Sequence, residues 1–234
     1  MNRKITSSIS WILDNLMPPI LRDSRILMSM LMHPLFREKT KHFLTFKDDI
    51  SISDEEQLLK YYELLGDVHI KRVTDLNQKC VNYIVDNVIG ERILDIACGT
   101  GYLAKKIALL NSDKNIVGID FNLSTKIDGK INNLELKKGS ILNIAYEDKY
   151  FDTVICAHTL EHLYDPQNAL YELRRVTKKR LIIILPKQRE YKFTYDLHLH
   201  FYPYKYTLFS RLGIDKDALV LIMSNDYLIV ENYS

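Results

Sequence analysis

The stretch that decides the fold is Arg92-Ile-Leu-Asp95-Ile-Ala-Cys98-Gly99-Thr-Gly101-Tyr-Leu-Ala104. Its apolar run, 93–97, predicts a short buried strand, and residues 102–110 predict a helix after two closely spaced glycines. Glycines allow a tight turn and a close approach of the backbone to a ligand, because they carry no Cβ. The helix directs its free N–H groups and its positive dipole end at that turn. The stretch therefore predicts a site for an anionic or carboxylate-bearing cofactor.

Two classes of ligand are compatible with this turn. Residues 99–104, Gly-Thr-Gly-Tyr-Leu-Ala, match the dinucleotide-binding fingerprint with alanine in the third position. Asp95, which lies in the strand before the first glycine, favours a different ligand. A carboxylate beside the turn would repel a pyrophosphate, whereas it can bind the ammonium group of an amino-acid-like ligand.

The chain closely resembles the class I S-adenosylmethionine (SAM)-dependent methyltransferases, whose first motif has the form Asp-x-Gly-x-Gly-x-Gly. Asp95, Gly99 and Gly101 match this motif, and Ala97 replaces its first glycine. The resemblance covers about residues 92–186, and its second region consists of Phe151-Asp152, Leu160-Glu161-His162 and Asp165-Pro166. It implies an α/β fold with a Rossmann-like seven-stranded, mostly parallel sheet, an antiparallel C-terminal hairpin and a helical N-terminal cap. It also implies SAM as the methyl donor.

The sequence after the turn alternates between strands and helices, as a parallel sheet requires. A helix is expected to begin at Asp165-Pro166, and the basic run Lys178-Lys-Arg180 is expected to close it. Strands are predicted at 115–120, from 134 onwards, at 152–156 and at 181–185, with a terminal hairpin over 218–231.

Length and composition indicate one α/β domain with a small extension. The chain has 234 residues, 47% hydrophobic and 26% charged, which is typical of soluble globular proteins. A net charge of +2 argues against a general nucleic-acid or membrane surface. The scattered cysteines and the lack of a secretory signal predict a cytoplasmic protein with reduced thiols. We expect a helical N-terminal cap over 1–90 and a SAM-binding domain over 91–234.

The N-terminal segment reads as a set of helices. Pro18-Pro19 should interrupt a first helix, and the apolar run 26–32, which is too short to span a bilayer, should end at His33-Pro34. The simplest interpretation is a helix that packs on the core, and the alternatives are a membrane-surface helix or a homodimer contact. Further helices are predicted from Ser53, with Glu56 completing a capping box, and over 74–87.

The resemblance implies roles for the residues around the turn. Asp95 and its turn would bind the methionyl end of SAM, Asp120 the ribose hydroxyls, and Ser140 with Ile141 the adenine. Arg72 could pair with the methionyl carboxylate, although an ordinary surface role is the plainer interpretation. The full predicted cofactor-binding set is Asp95, Cys98, Gly99, Gly101, Asp120, Phe121, Ser140, Ile141 and Arg72.

Histidines follow two of the predicted strands: His158 and His162 come after the fourth, and His198 and His200 after the fifth. The carboxyl ends of strands are where an open α/β sheet binds ligands. We expect His162 to activate the acceptor, aided by His158, His198 or His200. With Glu161, the same four histidines also form a candidate site for a divalent metal.

Two metal-using groups within the resembled family carry Glu-x-x-Glu-His at this position: the O-methyltransferases of ubiquinone biosynthesis and the small-RNA 3′-terminal 2′-O-methyltransferases. Glu161 and His162 match, and His158 replaces the first glutamate. Additional nitrogen ligands would shift the metal preference from magnesium toward zinc, iron, nickel or cobalt. The alternative is a metal-free site in which the histidines hydrogen-bond one another or the acceptor.

The predicted function is methyl transfer from SAM, most simply to a hydroxyl of a small-molecule or sugar-containing acceptor. Residues 187–206 are rich in aromatic and basic side chains. They could line a small-molecule pocket or stack on single-stranded RNA, and the low net charge favours the pocket. The alternatives are an RNA 2′-O-methyltransferase, an NAD(P)-dependent oxidoreductase and a non-catalytic interaction module.

Overall fold

The computed structural model describes residues 11–13, 15–49, 58, 60–61, 63–65, 73–123, 131–193 and 196–233. The chain divides into two compact units. The helical unit consists of Met1–Val73, His162–Tyr164 and Gln188–Pro203, and the sheet unit consists of Thr74–Glu161, Asp165–Lys187 and Tyr204–Ser234. Arg72 and the capping box at Ser53 and Glu56 lie outside the described residues.

A seven-stranded sheet organises the described part of the sheet unit. Its strands are β1 (Arg92–Ile96), β2 (Asn115–Asp120), β3 (Leu134–Lys138), β4 (Phe151–Ala157), β5 (Thr177–Pro186), β6 (Leu219–Met223) and β7 (Asp226–Asn232). They lie in the order β3-β2-β1-β4-β5-β7-β6. The pairings from β3 to β5 are parallel, and β7 runs antiparallel to both β5 and β6. The predicted Rossmann-like sheet with an antiparallel terminal hairpin is confirmed.

Helices occur in both units. The helical unit contains α1 (Pro19–Arg22), α2 (Arg25–Phe36) and α3 (Thr40–Asp49), and the sheet unit contains α4 (Gln78–Asn87), α5 (Tyr102–Leu110), α6 (Pro166–Val176) and α7 (Lys205–Leu212). Short 3-10 helices cover Arg37–Lys39 and Leu160–His162. No helix among the described residues is long and apolar enough to cross a lipid bilayer.

Polar residues fix the starts of two helices that pack on the sheet. The Asn77 side chain accepts a hydrogen bond from Cys80 N–H at the start of α4, and the Asp165 side chain accepts from the N–H groups of Gln167 and Asn168 at the start of α6. Pro166 occupies the first turn of α6, where its missing N–H removes no intrahelical bond. The predicted start of α6 is therefore confirmed.

The predicted boundary between a cap over 1–90 and a domain over 91–234 differs from the observed division. Helix α4 belongs to the sheet unit because Cys80, Val81 and Ile84 are buried in the same apolar cluster as β1, β4 and α5. Residues 188–203 belong to the helical unit. There the Arg22 guanidinium donates to the Glu190 carbonyl at 2.8 Å, and Lys47 Nζ donates to the Tyr191 carbonyl at 2.7 Å.

Two predicted helix ends were wrong. The run Lys178–Arg180 does not close α6, because Thr177 adopts an extended conformation and the run lies inside β5. Pairing of β5 with β4 on one side and β7 on the other outweighs the local preference of basic residues for a helix end. Helix α2 continues through Pro34 to Phe36, which is buried in the core of the helical unit.

Asp152 fixes the chain where it enters the sheet. Its Oδ2 accepts hydrogen bonds from the N–H groups of Glu91 and Arg92 at 2.9 and 3.1 Å, and its Oδ1 lies 3.0 Å from Lys179 Nζ. A Cβ at Gly90 would lie 2.2 Å from the Asp152 Cβ, so only glycine fits there. Burial opposes ionisation, but the two N–H groups and Lys179 outweigh it and lower the pKa of Asp152 to about 2.

Asp152→Asn is expected to lower the free energy of unfolding by about 2 kcal/mol at neutral pH, because two backbone donors and one ammonium lose a charged partner. The folded-state pKa lies below the ordinary value of 3.8, so the wild-type advantage is complete above pH of about 4 and disappears as the pH falls toward about 2. Thermal unfolding at a series of pH values measures both effects. Asp113→Asn, which changes an exposed partner of Lys114, is the control, and an equal loss in both variants would contradict this role.

Candidate cofactor site

The candidate site lies at the carboxyl ends of β1, β2 and β4. Strand β1 pairs with β2 on one side and with β4 on the other, so the strand order reverses at β1. Open α/β sheets bind their ligands in the crevice outside such a switch point. The loop that leaves β1 and enters α5, residues 97–101, occupies this position.

The loop has a left-handed backbone at three residues. Ala97, Gly99 and Gly101 have φ values of 56°, 55° and 71°. Two backbone hydrogen bonds hold it: Cys98 N–H donates to the Ile119 carbonyl at 3.0 Å, and Gly101 N–H donates to the Cys98 carbonyl at 2.9 Å. Ala97 replaces the first glycine of the resembled motif and keeps a conformation that favours glycine, at some energetic cost.

The two glycines of the loop serve different purposes. A Cβ at Gly101 would lie 2.8 Å from Cδ1 of Leu136 on β3, so glycine permits close packing at the start of α5. A Cβ at Gly99 would meet no atom within 4 Å. Gly99 therefore borders open space that a bound molecule can fill, which is the property expected of a cofactor cradle.

Asp120, at the end of β2, holds this loop from the neighbouring strand. Its Oδ2 accepts from Gly99 N–H at 2.7 Å, and its Oδ1 accepts from Asn122 N–H at 2.9 Å. The residue is buried, and an ionised carboxylate can accept further hydrogen bonds beside these two. The position predicted to bind the ribose hydroxyls thus has the required acceptor capacity.

Asp95, inside β1, is also buried. Its Oδ2 accepts from Ala104 N–H in α5 at 3.0 Å, so this carboxyl joins the strand to the helix across the loop. Burial raises the pKa of Asp95 to about 7, the Ala104 N–H opposes that shift, and the nearby Asp120 charge adds to it. A cationic ligand group near Asp95 would favour its ionised form.

The remaining predicted cofactor residues surround the same strand ends. Ser140 Oγ accepts from Leu142 N–H at 3.1 Å, which forms a tight turn after β3, and Ile141 in that turn is buried. Phe121 is partly exposed after β2. Burial raises the pKa of the Cys98 thiol, which keeps the loop cysteine neutral.

His158 lies between two carboxylates of the sheet unit. Its Nδ1 is 3.3 Å from Glu161 Oε1, and its Nε2 is 3.5 Å from Asp226 Oδ1. Burial opposes protonation, but the two carboxylates outweigh it and hold the pKa of His158 well above its ordinary value. Both ring nitrogens face carboxylates, which favours the imidazolium form, and that form offers no lone pair to a proton or a metal.

Sequence reasoning did not identify Asp226 or Asn77 as part of this cluster. Asn77 Nδ2 donates to Asp226 Oδ2 at 2.6 Å and to the Met223 carbonyl at 2.9 Å. The same amide caps α4, so one side chain connects a helix start to the start of β7. An acid after the polar turn Ser224-Asn225 has no local signal that distinguishes it from a turn residue.

His162 and His198 come together in the helical unit, with ring centroids 4.7 Å apart. His162 Nδ1 lies 3.1 Å from the Leu197 carbonyl, which can only accept, so a neutral His162 carries its lone pair on Nε2. His198 Nδ1 lies 2.6 Å from Gln188 Oε1, which assigns the same tautomer, and the Gln188 amide in turn contacts the Tyr191 hydroxyl. Both rings thus have a fixed orientation and a defined accepting nitrogen.

The candidate metal ligands are divided between the units. His158 and Glu161 belong to the sheet unit, whereas His162, His198 and His200 belong to the helical unit. His158 does not fit as a ligand, because both of its nitrogens face carboxylates. A metal held by the other four side chains stays a prediction.

Comparisons with known proteins agree on one family. A methyltransferase-domain family matches residues 88–199. A demethylmenaquinone methyltransferase of Corynebacterium kroppenstedtii is 30% identical over 51% of this chain and 51% of its own, and a ubiquinone biosynthesis O-methyltransferase of Photobacterium profundum is 26% identical over 53% and 55%. The chain therefore spans about half the length of these curated relatives.

Two solved structures share the fold. A SAM-dependent methyltransferase from Aquifex aeolicus superposes with a TM-score of 0.54 at 19% identity, covering 76% of this chain and 98% of that one. The magnesium protoporphyrin IX methyltransferase of Synechocystis, solved with bound S-adenosylhomocysteine (SAH), gives 0.54 at 15% identity, covering 77% and 100%. At these identities the similarity establishes the fold.

Ala97→Gly is expected to leave the free energy of unfolding unchanged or to raise it by up to about 1 kcal/mol. Glycine removes the left-handed strain of alanine, and the greater freedom of the unfolded chain offsets part of that gain. Ala157→Gly in β4 is the matched control and should lose about 1 kcal/mol, because a strand residue gains nothing from a positive φ. Urea unfolding of both variants measures the difference, and a similar loss in both would show that Ala97 is not strained.

Proposed function

We propose that this chain, whose residues 88–199 match a methyltransferase-domain family, is a class I SAM-dependent enzyme that transfers a methyl group from SAM to a hydroxyl oxygen of a small-molecule or sugar-containing acceptor. One observation carries the cofactor assignment. Gly99 borders open space, while its N–H is held by the buried Asp120 carboxylate. A nucleoside joined to an amino acid has groups that suit both features, because ribose hydroxyls donate to a carboxylate and the methionyl part needs close backbone approach.

The fold supports SAM over a nicotinamide dinucleotide. Strand β7 is antiparallel to β5, whereas a dinucleotide-binding sheet continues with parallel units. Asp95 places a carboxyl group inside β1 beside the loop, which is unfavourable for a pyrophosphate. We assign the methionyl end to the loop and Asp95, the ribose to Asp120, and the adenine to Ser140 and Ile141.

The names of the relatives support a small acceptor, and those named for ubiquinone biosynthesis support a hydroxyl group on it. The curated proteins that match include methyltransferases named for ubiquinone biosynthesis and for demethylmenaquinone. The former are named as O-methyltransferases. We infer the same reaction class here, with the hydroxyl group of an organic molecule as the acceptor.

Bound SAM would supply an electrophilic methyl group, which would be transferred in one step with SAH as the leaving group. The acceptor oxygen would bond to the methyl carbon as the sulfur–carbon bond breaks, SAH would be released, and a base would take the hydroxyl proton. We assign proton removal to His162. Its Nδ1–H donates to the Leu197 carbonyl, so its Nε2 is the nitrogen that accepts a proton. We assign His198 to orienting His162 through their edge-to-face contact.

The geometry of His158 favours a role as a fixed cation instead of a base. Its charge neutralises Glu161 and Asp226, so it stabilises the segment that leads to His162. This arrangement disfavours His158 as a ligand of the predicted metal site and leaves the other four side chains as its candidates. Bound-metal analysis of the purified protein, with activity measured before and after chelation, tests that part of the proposal.

Gly99→Ala is expected to weaken SAH binding by about tenfold or more, because its methyl group enters the space assigned to the cofactor. Gly213→Ala is the matched control. Gly213 has a φ of 58° and also has no atom within 4 Å of its Cβ position, but it ends α7. Both variants should lose about 1 kcal/mol of stability from the positive φ, and only Gly99→Ala should lose affinity.

Titration calorimetry with SAM, SAH and NAD measures this difference. Binding of SAH, but not NAD, to the wild type is the expected result. Equal SAH affinity of Gly99→Ala and Gly213→Ala would contradict the assigned cradle, and binding of NAD alone would overturn the methyltransferase proposal.

His162→Gln is expected to reduce kcat by about 10²–10⁴-fold with little change in the SAM dissociation constant, because general-base catalysis contributes a factor of that size. SAH release from a panel of phenolic and sugar hydroxyl acceptors provides the assay. His33→Gln, at an exposed position on α2, is the control and should retain the wild-type rate. An unchanged kcat in His162→Gln would remove His162 from the reaction.

A further inference from the structure

Helix α2 is apolar on two opposite sides. Met28, Met32 and Phe36 recur every four residues and are buried in the core of the helical unit. Ile26 and Met30 are offset from them by two residues, which places them about 200° around the helix. Their side chains are 76% and 68% exposed. Packing among the described residues therefore explains one apolar face of α2 and does not bury the other.

Residues 11–35 carry further large hydrophobic side chains that are exposed, and we call these side chains, together with the exposed face of α2, the outer surface. Its large exposed hydrophobic residues are Trp11, Ile12, Leu16, Ile20, Leu21, Ile26, Met30, Leu31 and Leu35. Monomeric proteins expose single hydrophobic residues routinely, but a concentration of this size marks a binding surface. Its composition of tryptophan, leucine, isoleucine and methionine is typical of segments that insert into the boundary between lipid headgroups and acyl chains.

Charge distinguishes between the occupants of this surface. Residues 1–41 contain seven Lys or Arg and three Asp or Glu, a net +4, whereas the whole chain carries only +2. Among the described residues of this segment, Arg25, Arg37 and Lys41 are exposed, against the exposed acids Asp23 and Glu38. In a two-fold dimer the same surface would face itself and bring these like charges together. An anionic headgroup layer instead complements them.

We propose that the outer surface docks onto an anionic lipid bilayer, with α2 lying in the plane of the interface. Twelve residues of α-helix extend about 18 Å, well short of the roughly 30 Å hydrocarbon core, so the helix lies on the membrane and does not cross it. Trp11 has an apolar ring and a polar N–H, which suits the headgroup boundary. This inference does not depend on the identity of the methyl acceptor.

Sedimentation of the full chain with lipid vesicles tests the proposal. The protein is expected to bind vesicles of phosphatidylcholine with about one third phosphatidylserine, and to bind less as salt is added. Ile26→Gln with Met30→Gln should reduce the partition coefficient by about tenfold or more, because two apolar side chains no longer enter the interface. Arg25→Gln with Lys41→Gln should reduce it by about fivefold per residue on anionic vesicles alone.

Leu109→Gln with Leu110→Gln is the matched control, since these α5 side chains are 62% and 63% exposed outside the outer surface. Circular dichroism confirms that each variant is folded. The absence of vesicle binding by the wild type, or an equal loss in the control pair, would overturn the proposal. Sedimentation velocity tests the remaining alternative, a dimer. If the wild type is a dimer that does not bind vesicles, and Ile26→Gln with Met30→Gln makes it monomeric, the outer surface binds a second copy of the chain instead.

Discussion

The hydrogen bond from Gly99 N–H to the Asp120 carboxylate is the interaction on which the candidate site depends. It connects the loop after β1 to the end of β2, the strand beside it. A second carboxylate, Asp95, reaches across the same loop to Ala104 N–H at the start of α5. Together the two acids satisfy backbone donors that the left-handed loop cannot pair internally, so the loop shape and the acidic character of the site have one cause.

Local patterns in the sequence were sufficient where an element is stabilised by its own residues. The helix over 102–110 and the strand over 115–120 were predicted with the observed ends, because glycines and an apolar run mark them. Lys178–Arg180 was assigned to a helix end because its charge suits one, but pairing with β4 and β7 places it in a strand. Strand pairing of this kind depends on residues distant in the chain, which a local sequence pattern does not include.

The site shows the same division between local and distant information. Gly99 was identified from the glycine motif and Asp120 as the acid at the end of the next predicted strand, since neighbouring residues in the sequence mark each of them. Sequence reasoning also assigned catalysis to His158 but did not identify its partner Asp226, because 68 positions separate the two residues. His162 and His198 likewise meet through chain segments that no local spacing relates.

The left-handed loop has a consequence for the thermodynamics of cofactor association. Ala97, Gly99 and Gly101 already have their conformations fixed by bonds within the protein, through Cys98 N–H, Gly101 N–H and the Asp120 carboxylate. A molecule that enters the cradle therefore has little backbone to order, and most of its interaction energy is retained as affinity. The free energy cost of the left-handed Ala97 conformation is part of the free energy of folding. The loop is therefore already in its binding conformation before the cofactor arrives.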